Sequence, residues 1–141
     1  MKKFVPILFS TLVLTSSAFA QSCDCPAQAK SVRDSYAQAG VVMVGTVQKV
    51  GKSALRPGMN EAIFKIMSRY KGLEEVKSNT IYVYTPDSKP KCGISFLVSQ
   101  DYLVYADGNA ARPVSSSCSR TDILDNALGQ LEELQKLASK K

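Results

Sequence analysis

Two cysteines one residue apart, Cys23 and Cys25, stand near one end of a 141-residue chain, and the other two, Cys92 and Cys118, lie far along it. No other feature limits the fold as strongly. Four cysteines forming two disulfides allow three pairings. Joining Cys23 to Cys25 closes a tiny, strained ring and does little for the fold. Either long pairing staples the same short stretch to two distant segments, and closing loops of that size stabilises by roughly 4 kcal/mol each on a chain-entropy argument. Two thiolates one residue apart also suit a soft ion such as Cu(I). That use needs free thiols, and no histidine or methionine cluster stands nearby to complete a site. Structural disulfides are therefore the expectation, with no cofactor and no metal of the chain's own.

Disulfides persist in oxidising compartments, and the start of the chain points to one. Lys2 and Lys3 precede an apolar run from Phe4 to Leu14, and small residues lead to Ala18-Phe19-Ala20. This order is that of a secretory signal peptide over residues 1–20 with an A-x-A cleavage site. The run is too short to cross a bilayer, which takes roughly 20 apolar residues. Cleavage after Ala20 leaves residues 21–141 as one domain beginning Gln21-Ser22-Cys23, with no transmembrane segment. A second cut after Ser22 would make Cys23 the first residue. Export to the periplasm or the medium follows, and loss of two lysines takes the formal net charge from +6 to +4.

The chain has no histidine. Nucleophile–histidine pairs and histidine zinc sites are thereby excluded, and no phosphate-binding loop is visible. The expectation is a binding module, not an enzyme. Tyr82, Tyr84, Tyr102 and Tyr105 could in principle form a stacking platform for single-stranded nucleic acid. Export and the modest residual charge argue for tyrosines half-buried on strands instead, and for no nucleic-acid partner.

Periodicity outlines the elements. Pro26 suits the first turn of a helix over about Ala27 to Ala39, with Ala29, Val32, Tyr36 and Ala39 on one stripe and Gly40 at the stop. Valine-rich Val41 to Val50 reads as a buried strand with a bulge or bend at Gly45. Arg56 to Asn60 is turn chemistry. Glu61 to Tyr70 places Ala62, Phe64, Ile66 and Ser68 on one face, and Asn79 to Thr85 alternates Ile81 and Val83 against Tyr82 and Tyr84. Ile94 to Val98 and Tyr102 to Ala106 are further β-type runs, and Pro113 to Cys118 a last short one. Thr121 or Asp122 caps a C-terminal amphipathic helix of about four turns, with Leu124, Leu128, Leu131, Leu134 and Ala138 on its apolar side. The fold expected is mainly β: a small five- to six-stranded OB-fold barrel with an N-terminal and a C-terminal helix.

Particular residues carry a resemblance. Cys23-Asp24-Cys25-Pro26 opens the mature chain, Val41 to Val47 follows, then Phe64 and Tyr70-Lys71-Gly72. Val83-Tyr84-Thr85-Pro86 leads to Cys92-Gly93, Tyr102 to Ala106 comes next, and Cys118-Ser119-Arg120-Thr121 with Leu124, Ala127 and Leu131 closes the pattern. Together they resemble the N-terminal domain of the tissue inhibitors of metalloproteinases, within the netrin-like family, over nearly the whole mature chain. The resemblance implies an OB barrel and the pairing Cys23 with Cys92 and Cys25 with Cys118. It also implies an inhibitory edge of Cys23, Asp24, Cys25 and Pro26. In that family the N-terminal cysteine offers its α-amine and carbonyl oxygen to the zinc of a protease, displacing the water that attacks substrate. Cys23 can do so only as the first residue. The implied partner is a zinc metalloprotease or another envelope or extracellular protein. The alternative is a non-inhibitory module that uses the barrel face for a protein or an anionic surface ligand.

Overall fold

The computed structural model describes residues 23–25 and 31–140. The signal peptide 1–20, Gln21, Ser22, and the helix start at Pro26 and Ala29 lie outside the described residues. Within them, the first helix, α1, is Val32–Gln38. Ser31 caps it by accepting a hydrogen bond from the Asp34 N–H at 3.0 Å, the arrangement that satisfies an otherwise orphaned donor of the first turn. Val32 and the following Ala39 are buried.

Five strands follow: β1 (Val41–Lys52), β2 (Met59–Lys71), β3 (Thr80–Pro86), β4 (Asp101–Ala106) and β5 (Asp122–Ile123). They form one antiparallel sheet in the order β3-β2-β1-β4-β5. The sheet is open, so the continuous barrel expected from the sequence is not its hydrogen-bonded form. Among the described residues, one segment joins its flanks by β-bridges. Val114 bridges Tyr84 of β3 on one side and Asp107, just past β4, on the other. Pro113 to Cys118 therefore supplies isolated bridges and no strand of its own.

The register of β1 on β2 shifts at three places, one of them between Val44 and Gly45. Each shift bends and coils the strand. At Gly45 a β-carbon would meet the Lys65 carbonyl oxygen and the Phe64 ring, which is why a glycine suits the bend. On β2, Ala62 and Phe64 are fully buried and Ile66 and Ser68 half-buried, while Lys65 and Met67 on the other face are exposed. The alternation read from the sequence is therefore the one observed.

Two apolar clusters lie on either side of the sheet. One gathers Val41, Met43, Val47, Phe64, Val83, Phe96, Tyr102 and Val104. Its centre is a set of edge-to-face rings, with Phe96 5.2 Å from Phe64 and 5.0 Å from Tyr102. The other gathers Val32, Ala39, Val42, Val44, Leu103, Tyr105, Ala127 and Leu134, joining both helical segments to β1 and β4.

Three expectations are corrected here. Ile94 to Val98 is not a strand. Phe96 is buried, but the Ile94 N–H donates to Thr85 Oγ1 and the Leu97 N–H to the Tyr102 hydroxyl. Side-chain oxygens thus take the donors a ladder would have used, and Leu97 and Val98 are left exposed. The C-terminal helix is not continuous either. It is α2 (Leu124–Ala127), a 3-10 turn at Leu128–Gln130, and α3 (Leu131–Ala138). Gly129, a weak helix former, lies in the turn. Leu128 consequently leaves the apolar stripe and is 55% exposed, whereas Ala127 and Leu134 are wholly buried. Finally, neither Thr121 nor Asp122 is the cap residue of α2. Asp122 lies in β5, Ile123 precedes α2 with no side-chain cap bond, and Thr121 turns inward to Tyr105.

Candidate functional site: the stapled edge

Cys23 is bonded to Cys92 and Cys25 to Cys118, with Cα separations of 5.0 and 5.2 Å, within the ordinary span of a disulfide. This is the pairing that the resemblance implies. The two bridges stack on one another. Cys23 Sγ lies 3.5 Å from Cys118 Sγ, and Cys118 Sγ lies 3.6 Å from Cys92 Sγ. Cys23 is half-buried, while Asp24 and Cys25 are exposed. The tripeptide thus sits on the surface, fastened beneath by two covalent links.

Two loops hold those links. The first passes through a 3-10 turn at Lys89–Lys91, where Pro90 fits because its missing N–H is not needed. The Cys92 N–H donates to Lys89 O and the Gly93 N–H to Ser88 O, both at 2.9 Å. Cys92 is left-handed, with φ of 69°, a conformation uncommon for a residue with a β-carbon. At Gly93 a β-carbon would overlap the Pro86 carbonyl oxygen. The glycine after Cys92 is therefore required by the close approach of the loop to its own base.

The second loop carries Cys118. Its base is a polar knot. Buried Ser115 donates to Tyr105 O at 2.9 Å, and its hydroxyl contacts those of Ser119 and Thr121. Thr121 Oγ1 accepts from the Tyr105 N–H at 2.8 Å. The Ser117 N–H donates to Cys92 O at 2.8 Å, so the two cysteine loops are tied to each other without help from sulfur. Below the knot, the Tyr105 hydroxyl donates to Gln130 Oε1. Burial pushes its pKa up to about 12, Arg120 opposing and Glu133 and Tyr70 adding to the rise.

The residues flanking the edge are mixed in charge. Lys89 and Lys91 are exposed, and Lys91 pairs with Asp87 at 3.2 Å. An ion pair this open adds at most about 1 kcal/mol.

The tyrosines weighed as a platform do not share a surface. Tyr82 is 48% exposed. Tyr84 lies under the Arg56 guanidinium at 5.0 Å, and Tyr102 and Tyr105 are buried. A depression of about 290 Å³ is lined by Arg69, Tyr70, Lys71, Leu73, Glu74 and Ala138, but its cations are engaged with the backbone. Arg69 donates to the carbonyls of Leu73, Val76 and Ser78, and Lys71 to those of Tyr36 and Ala37. These bonds brace the turn after β2 and hold α1.

Sequence reading missed the supporting residues of the edge. The sequence places Ser115 in a short β-type run and Thr121 at a helix start, and nothing in their spacing shows that both hydroxyls reach Tyr105 O with Ser119 in contact with each. Compared with known proteins, the chain matches no family model and no curated protein.

Proposed function

We propose that the chain is an exported, disulfide-stapled binding module of netrin-like type, not an enzyme, and that Cys23-Asp24-Cys25-Pro26 is the edge it presents to a protein partner. The observation that carries this reading is the exposed tripeptide fixed by two stacked bridges to two loops that are themselves hydrogen-bonded. A segment already held rigid loses little further entropy on binding. The OB-barrel reading draws support from Val114, which bridges both flanks of the sheet. Export draws support from the two bridges, which persist in oxidising compartments.

The partner class implied by the resemblance is a zinc metalloprotease. With Cys23 as first residue, its α-amine and carbonyl oxygen would be the zinc ligands, and Asp24 would enter the pocket beside the metal. An unpaired carboxylate there costs free energy on desolvation. With Gln21 as first residue, the Cys23 nitrogen is an amide and a far poorer ligand. A panel of zinc metalloproteases is to be titrated with three forms: one starting at Gln21, one at Cys23, and one at Cys23 with Asp24→Thr. The last is expected to inhibit most strongly and the first least. Strong inhibition by the Gln21 form would overturn chelation at Cys23.

One observation favours a second reading, in which the outer sheet face binds a protein or an anionic ligand. Exposed Tyr82 pairs across the sheet with Ile63, and Ile63 with Lys49, which places an aromatic ring and a cation in one row. Loss of binding in Tyr82→Ala with the edge intact would select this reading.

A further inference from the structure

We infer that the four cysteines, once reduced, form a tetrathiolate site for one zinc ion, so that the edge has a metal-held state as an alternative to its bridged one. This goes beyond partner binding and does not depend on it. Four sulfurs from three stretches of chain meet in one small volume. Those of Cys23, Cys25 and Cys118 all lie within 4.8 Å of one another, and Cys92 Sγ is 3.6 Å from Cys118 Sγ. Zinc–sulfur bonds of about 2.3 Å in a tetrahedron put sulfurs about 3.8 Å apart. The contacts between bridges, 3.5 and 3.6 Å, are already close to that edge length. Reduction has only to open the two bonded pairs.

The bridges are not the sole links at the site. The Ser117 N–H to Cys92 O bond, the Cys92 N–H to Lys89 O bond and the buried Ser115 knot position Cys92 and Cys118 without disulfides. Cys23 and Cys25 then supply a chelating pair from one short segment. Four thiolates around a divalent ion leave two net negative charges. Lys89 and Lys91 precede Cys92 in the chain and Arg120 follows Cys118, with Lys91 paired to Asp87 and Arg120 bonded to Gln130. Four protein ligands leave no open position, so the site is structural and not catalytic.

The chemistry balances with a dithiol as reductant. Two dithiols pass four electrons and four protons to the two bridges and become two disulfides. One zinc ion then displaces the four thiol protons. Two low-molecular-weight disulfides reverse the sequence: they take four electrons from the thiolates and four protons from water, become four thiols, and the ion is expelled.

The test uses the protein reduced with a phosphine, which avoids competing thiols, and titrates it with Co(II) as the probe and then Zn(II). The expected result is one ion per chain, tetrahedral thiolate absorption with Co(II), and protection of all four cysteines from alkylation by Zn(II). Cys92→Ser and Cys118→Ser should each weaken binding by more than about 100-fold, beyond the roughly 10–100-fold cost of losing a supporting contact. Circular dichroism is followed in parallel. A reduced chain that unfolds and is refolded by Zn(II) supports the site, because binding then drives folding. One that stays unfolded with Zn(II), takes up half an ion per chain, or leaves any cysteine open to alkylation overturns it.

Discussion

Replacing Leu134 by alanine should be among the most damaging single changes in this protein, whereas the same change at Leu128 should be nearly silent. Leu134 is 0% exposed and belongs to the cluster that joins α1 and α3 to β1 and β4. Truncation removes three carbon groups from a wholly dry site, about 0.8 kcal/mol each. The cavity left behind raises the total to about 3 kcal/mol, inside the 2–5 kcal/mol range seen for buried leucines. At roughly 4 °C per kcal/mol for a domain of this size, Leu134→Ala should lower the thermal midpoint by about 12 °C. Leu128 is 55% exposed, so its transfer contribution is at most about 1 kcal/mol with no cavity to add. Thermal unfolding followed by circular dichroism, with urea titration to confirm that the m-value is unchanged, measures both. Equal shifts for the two variants would refute the interrupted helix and restore the continuous stripe.

Tyr105 gives the protein an alkaline limit. With its pKa raised to about 12 in the folded state against about 10 unfolded, the unfolded chain releases this proton first. Its contribution is intact below pH 10 and is lost as pH rises toward 12; Tyr105→Phe should flatten that decline in urea titrations across the range. Ser115→Ala, which removes the buried donor to Tyr105 O, should cost about 1–3 kcal/mol and speed hydrogen exchange at the Ser117 amide. A methyl at Gly40 would overlap the Gly108 carbonyl oxygen, while Gly51 has nothing within 4 Å. Gly40→Ala should thus destabilise by more than about 3 kcal/mol, and Gly51→Ala should raise stability by about 0.5–1 kcal/mol, both read from chemical denaturation.

Sequence by itself determined the elements whose cause is local. The alternation of Ala62, Phe64, Ile66 and Ser68 shows which face of β2 is buried, and the valine run marks β1 as buried, which holds over Val41 to Gly45 and fails at Gln48 and Lys49. Gly45 announces a bulge or bend in β1, and the four cysteines announce a stapled edge. Periodicity, however, reports only which side chains share a face, not which faces meet. Tertiary structure alone decided that Phe96 would reach the core from an irregular segment, because Thr85 and Tyr102 take the hydrogen bonds of its neighbours. It decided that the stripe of the last helix passes through Ala127 and Leu134 and leaves Leu128 in water. It also brought Ser115 and Thr121 onto one carbonyl, Ser119 against both of their hydroxyls, and the two disulfides into contact. These are encounters between residues distant in the chain or turned by an irregular backbone. Their free energy depends on shared volume and unsatisfied hydrogen bonds, neither of which exists until the strands have paired.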